Sequence, residues 1–99
     1  MKFDPFLAYA HACGAAGVNK PDAERIGTLA ARLWRHAVNG CNRPVTAREE
    51  TGDRNARAEL VSIGGCLSDG SRIEVDDSAL PRVYIVTGSA RIFVPVRNP

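Results

Sequence analysis

The chain is short of the residues that most metal and nucleophile chemistry uses. Its 99 residues include two histidines, His11 and His36, and three cysteines, Cys13, Cys41 and Cys66. An odd, widely spaced cysteine set is a poor disulfide framework. Neither His11-x-Cys13 nor His36 with Cys41 has the close-paired spacing of a zinc knuckle, so no metal site and no cofactor are expected. A catalytic thiol or hydroxyl would need a base beside it, and no nucleophile motif accompanies either histidine; no catalytic residue is assigned. Gly14, Gly17, Gly64 and Gly65 are too sparse for a phosphate loop, which sets its glycines between a strand and a helix. Long apolar runs are absent as well, which excludes a membrane-spanning helix. The opening Met-Lys-Phe-Asp-Pro lacks the charged-then-apolar order of a secretory signal, and the expected location is the cytoplasm.

What is present is a change of hydrophobic period near residue 70. Before it, apolar residues recur three and four apart between helix caps; after it they alternate. The expectation is one α+β domain over 1–99, with a helical part at 1–65 and a β part at 71–97: two or three helices on a three-stranded antiparallel sheet that ends in a hairpin. At 44% hydrophobic, a chain of this length can bury a modest core.

Asp4 and Pro5 signal a first helix toward Gly14 or Gly17. Asn19 or Lys20, followed by Pro21 and Asp22, opens a longer one, and Asn39-Gly40 reads as its left-handed stop. On it Ile26, Leu29, Ala30, Leu33 and Ala37 form one stripe with Trp34 beside it, while Arg25, Arg32 and Arg35 fall on the far, solvated side. Pro44 keeps Arg43 out of helical geometry. Thr46 and Glu49 then form a capping box, with Gly52 as an interruption, a second start at Asp53 as an alternative, and Gly64-Gly65 as the end. The β-branched Val61 and Ile63 leave 59–64 open to a strand reading.

Residues 68–71 read as a turn, followed by a strand with Ile73 and Val75 on one side and Arg72, Glu74 and Asp76 on the other. Gly88-Ser89 suits a type II′ turn, which sets Ile85 opposite Ile92, Val83 opposite Val94 and Tyr84 opposite Phe93. One face of this hairpin is aliphatic. The other carries Arg82, Tyr84, Val86, Arg91 and Phe93, an aromatic and arginine surface of the kind that anchors protein interfaces. Arg82, Tyr84, Arg91 and Phe93 are therefore the candidate partner-binding or self-association residues, and a homodimer is one form they could take; the alternative is that Tyr84 and Phe93 are themselves core, covered by the first helix. Glu74, Asp76 and Asp77 cluster at a strand end, but alternation and loop chemistry account for them without an active site.

Net charge is only +2, but it is unevenly placed: residues 1–48 carry seven basic and three acidic groups, 49–80 three and eight, and 81–99 three and none. Arg25, Arg32 and Arg35, with Arg43, form a candidate patch for phosphate or an acidic partner. Helices followed by a hairpin also follow the order of a winged helix-turn-helix. The helix before the sheet would then be the recognition helix, yet Glu49, Glu50, Asp53 and Glu59 outnumber Arg48, Arg54 and Arg57 there and would repel phosphate.

From Leu33-Trp34-Arg35-His36 through Cys41-Asn42-Arg43-Pro44 to Thr46 and Glu49, the chain resembles small accessory proteins encoded by phages and prophages of high-GC bacteria. The resemblance covers roughly residues 25–97 and assigns no functional residue. It implies a context in which such proteins act in the host cell as anti-CRISPR-like inhibitors of defence complexes, or as small regulators. The expected function is therefore non-catalytic binding to a host protein complex, with a nucleic-acid-binding regulator as the alternative.

Overall fold

A computed structural model describes residues 17–67 and 70–95 of the chain. It is α+β: helix α1 (Lys20–Gly40), helix α2 (Ala47–Gly64), then strands β1 (Arg72–Asp76), β2 (Arg82–Thr87) and β3 (Ala90–Phe93) in one sheet of order β1-β2-β3. The helix expected from Asp4 falls outside the described residues.

Local chemistry fixes the helix starts. Asn19 is the N-cap of α1, its Oδ1 accepting from the Asp22 N–H at 2.9 Å, and Pro21 in the first turn gives up an amide that would have had no helical partner. Thr46 caps α2 in the same way, its Oγ1 accepting from the Glu49 N–H at 3.2 Å. The ends depart from the expected left-handed stops. Cys41 and Gly65, the C-caps, both keep right-handed helical backbone, and tightened turns such as Asn42 N–H to the Asn39 carbonyl close the last carbonyls. Helix α2 also runs unbroken through Gly52 and 59–64, so neither the interruption, the second start at Asp53, nor the strand alternative holds. At Gly52 the Arg32 guanidinium lies where a side chain would stand, so the missing Cβ admits an arginine from α1.

The sheet follows the expected register. Tyr84 pairs with Phe93 and Ile85 with Ile92, and the Val94 N–H donates to the Val83 carbonyl at 2.8 Å. Gly88 has φ +58 while no non-glycine residue has positive φ among the described residues, the pattern of a II′ rather than a I′ turn. Strand β1 joins the other side, with Ile73 opposite Ile85 and Val75 opposite Val83.

Alternation then sorts the side chains. Ile73, Val83, Ile85 and Val94 are buried with Ile26, Leu29, Leu33 and Leu60 in one cluster, with α2 against β1 and α1 against β2. The joint between layers is tight at Gly64, where a Cβ would come 2.8 Å from the Ile73 amide nitrogen.

Two outcomes test this packing. Ile85→Ala and Leu33→Ala, both nearly inaccessible, should each cost about 2–5 kcal/mol in urea unfolding. Gly64→Ala must push the backbone of β1 aside and should cost about 1–3 kcal/mol. Its neighbour Gly65, with φ −66 and 3.5 Å of clearance, should accept alanine at no cost, because its conformation suits any residue.

Candidate functional site

Two places gather chemically distinctive side chains. The first is a cleft of about 270 Å³ between α1, α2 and the β1–β2 loop, lined by Leu33, His36, Asp53, Glu50, Arg57 and Ser78 among others. Its polar groups largely satisfy one another. His36 Nδ1 lies 2.5 Å from Asp53 Oδ1, and Nε2 is 4.0 Å from Glu49 Oε2. Arg57 reaches Asp77 at 2.5 Å, and the Ser78 hydroxyl donates to the Leu80 carbonyl at 2.8 Å. A histidine held from both sides by carboxylates on the facing helix is a fastener between helices. No nucleophile shares its contacts.

The cleft belongs to a longer seam of charge between α1 and α2. Arg25 Nε donates to Glu59 Oε1 at 2.7 Å, Arg32 lies over Gly52, His36 meets Asp53, and Arg43 donates to both oxygens of Glu49 at 2.9 and 3.3 Å. From Arg25 opposite Glu59 to His36 opposite Asp53, partner numbers fall overall in α2 as they rise in α1, which makes the helices antiparallel. Three of the four carboxylates expected to repel phosphate, Glu49, Asp53 and Glu59, are thus committed to α1 and its connector. The arginine patch is altered by the same contacts: Arg25 and Arg43 are ion-paired, while Arg32, laid on α2, and Arg35 are exposed with no ion pair among the described residues. The four do not form one free stripe.

The Arg43 guanidinium holds the Glu49 carboxyl below its ordinary value of 4.5, aided by the Thr46 hydroxyl and backbone and opposed by partial burial. A lowered folded-state value makes a stabilising contribution that is whole above 4.5 and is lost as pH falls below it. The stability advantage of the native chain over Glu49→Gln should accordingly shrink on acidification below that value, read by thermal unfolding across pH. A constant difference would assign Glu49 no such role.

The second place is the outer sheet face. Strand alternation directs Arg72 and Glu74 of β1, Arg82, Tyr84 and Val86 of β2, and Arg91 and Phe93 of β3 away from the helices. Phe93 is 45% exposed and Tyr84 half-buried. Their rings meet edge to face at 5.9 Å and 65°. Arg91 crosses over β2 with its guanidinium carbon 4.3 Å from the Tyr84 centroid and donates to Glu74 of β1 at 2.6 Å. Arg72 approaches the same carboxylate at 3.7 Å. Edge-to-face aromatic pairs and exposed cation–π contacts are each worth about 0.5–1 kcal/mol, enough together to hold the three side chains in one arrangement before anything binds.

The candidates Tyr84, Arg91 and Phe93 therefore stand together. Arg82 lies on the same face, exposed and without an ion pair among the described residues. Val86 is the exception: it is buried, lying between Arg72 and Arg91 in the register. Sequence reasoning missed Glu74 as the anchor of Arg91. The signal was available, since pairing β1 with β2 puts Glu74 opposite Tyr84. The acidic group at 74–77 is not a ligand cluster, for Glu74 holds Arg91, Asp76 accepts from the Ser78 N–H at 3.2 Å, and Asp77 holds Arg57. Cys41 and Cys66 are exposed free thiols, and His11 and Cys13 fall outside the described residues. Among the described residues no group of three or more His, Cys, Asp or Glu is placed to hold a metal ion, and no helix is long and apolar enough to cross a membrane.

No family model, curated protein or solved structure matches the chain.

Proposed function

We propose that the chain is a small non-catalytic binding protein that acts by protein–protein contact, with the outer sheet face as its interface. The observation that carries this reading is the ordered triple of Tyr84, Arg91 and Phe93: an exposed ring, a second ring beside it, and a guanidinium fixed between ring and carboxylate. Tyr and Arg dominate the energetics of protein interfaces, and side chains already held in place lose little entropy on docking. The complementary surface is an apolar pocket for Phe93 with carboxylates around it for Arg72, Arg82 and Arg91. The resemblance to phage accessory proteins supports a host protein complex in the bacterial cytoplasm as the partner, bound to inhibit it.

A nucleic-acid reading has one observation in its favour. Pairing of Glu49, Asp53 and Glu59 leaves Arg48 and Arg54 of α2 without ion pairs. Capture from a host lysate with and without nuclease separates the two readings. A protein retained after nuclease treatment, and weakened by more than about 2 kcal/mol in the double variant Tyr84→Ala/Arg91→Ala, is the expected result. That variant should cost less stability than Ile85→Ala, measured by denaturant unfolding. Binding that vanishes with nuclease and falls steeply with salt would transfer the function to the arginines of α1 and α2.

A further inference from the structure

Strand β3 is an edge strand, and no described strand or helix lies beyond it. Its polarity follows from the ladder. The Val94 N–H bonds the Val83 carbonyl, so Val83/Val94 is a hydrogen-bonded pair, and alternation makes Ile85/Ile92 and Thr87/Ala90 pairs of the same kind. The N–H and C=O groups of Arg91 and Phe93 therefore point away from β2, toward the open side. Pro95 occupies the next outward position and has no N–H, which limits the edge to these two residues.

We infer that this edge pairs with the same edge of a second copy of the chain, antiparallel about a two-fold axis at Ile92. The register is self-complementary. It sets Arg91 opposite Phe93 of the second copy, the pairs that exchange both backbone hydrogen bonds, and Ile92 opposite Ile92 at a site without such bonds. No like charges face each other, and a shift placing Arg91 opposite Arg91 would oppose two cations. Of the usual edge protections β3 has its short length, Arg91 and the Pro95 that follows it, which leave only two residues to pair, and it lacks a bulge, a lysine and an inward-facing charge. Ile92 is half-buried at the rim of the core, and the opposing Ile92 adds an apolar contact there. The product is a six-stranded sheet whose outer face carries Tyr84, Phe93 and Arg91 from both copies in continuous rows, doubling the surface proposed above for partner binding. The contact is narrow, so the dimer is weak and concentration-dependent.

The test uses the purified full chain alone, so its outcome is independent of whether the outer face takes a host partner. Sedimentation should show a monomer–dimer equilibrium in the micromolar to millimolar range. Arg91→Pro removes an outward N–H without touching the β2 ladder and should weaken dimerisation at least about tenfold beyond Arg91→Ala, a factor of ten in Kd per 1.4 kcal/mol. With Cys13, Cys41 and Cys66 changed to serine, Ile92→Cys should form a disulfide-linked dimer, since facing residues at such a site meet disulfide geometry. If that variant folds poorly, a mixture of Arg91→Cys and Phe93→Cys chains should cross-link while neither does so alone. A chain that stays monomeric throughout, a dimer indifferent to Arg91→Pro, or cross-linking of Arg91→Cys to itself would each overturn the proposal.

Discussion

The parity of three short strands governs this molecule. Side chains on a strand alternate between faces, so placing Ile85 against the helices commits Tyr84 and Val86 to the other side, and the register extends that commitment to Glu74 on β1 and to Arg91 and Phe93 on β3. A slip of one residue would bury two arginines and expose the isoleucines. The aliphatic core and the outer surface are thus one decision seen from two sides. What fixes it is the burial of Ile73, Val83, Ile85 and Val94 beneath α1 and α2, which outweighs the preference of any single exposed residue.

The helices obey a different constraint, since α2 is poorly amphipathic. It buries only Ala56, Leu60 and Gly64, leaves Val61 62% exposed, and owes its position as much to polar contacts as to apolar ones. Individually the exposed ion pairs are worth well under about 1 kcal/mol. Their value lies in direction: Arg25 with Glu59, Arg32 over Gly52 and His36 with Asp53 fix the antiparallel register along the whole length of contact. The bipolar charge of the sequence, positive through residue 48 and negative from 49 to 80, is largely the record of that seam. It describes how the chain holds itself and says little about what it binds.

Legibility followed the range of the interactions. Caps at Asn19 and Thr46, the II′ turn and the hairpin register depend on residues a few positions apart and could be read from the sequence. So could the outer position of Tyr84 and Phe93, since period alone sets it. Misreadings came where a distant residue decided. Gly52 looked like a break because nothing local shows that Arg32 crosses there, and the ion pair of Arg25, which is exposed as read, was hidden because Glu59 is 34 positions away. Val86 was placed among exposed residues, yet its neighbours in the middle of the sheet bury it. The support of Arg91 by Glu74 lies 17 positions apart and required β1 to be paired before it could be seen.

Once internal pairs are removed, the charges that remain bear on the partner class proposed above. Lys20, Arg32, Arg35, Arg48, Arg54 and Arg82 have no ion pair among the described residues, against Asp22, Glu24, Glu50 and Asp76. The surplus is positive but scattered: Lys20 opens α1, Arg82 lies on the sheet, and helical spacing turns Arg48 and Arg54 to opposite flanks of α2. Phosphate binding gains from each cation only where several track one backbone, and dispersed arginines do not. The outer sheet face works by the opposite logic. It has a small positive surplus from Arg72, Arg82 and Arg91, one exposed ring, and a guanidinium whose position is fixed by a carboxylate two strands away. Such a surface offers shape and a few directed contacts rather than a row of cations, which supports the proposed reading of a protein partner.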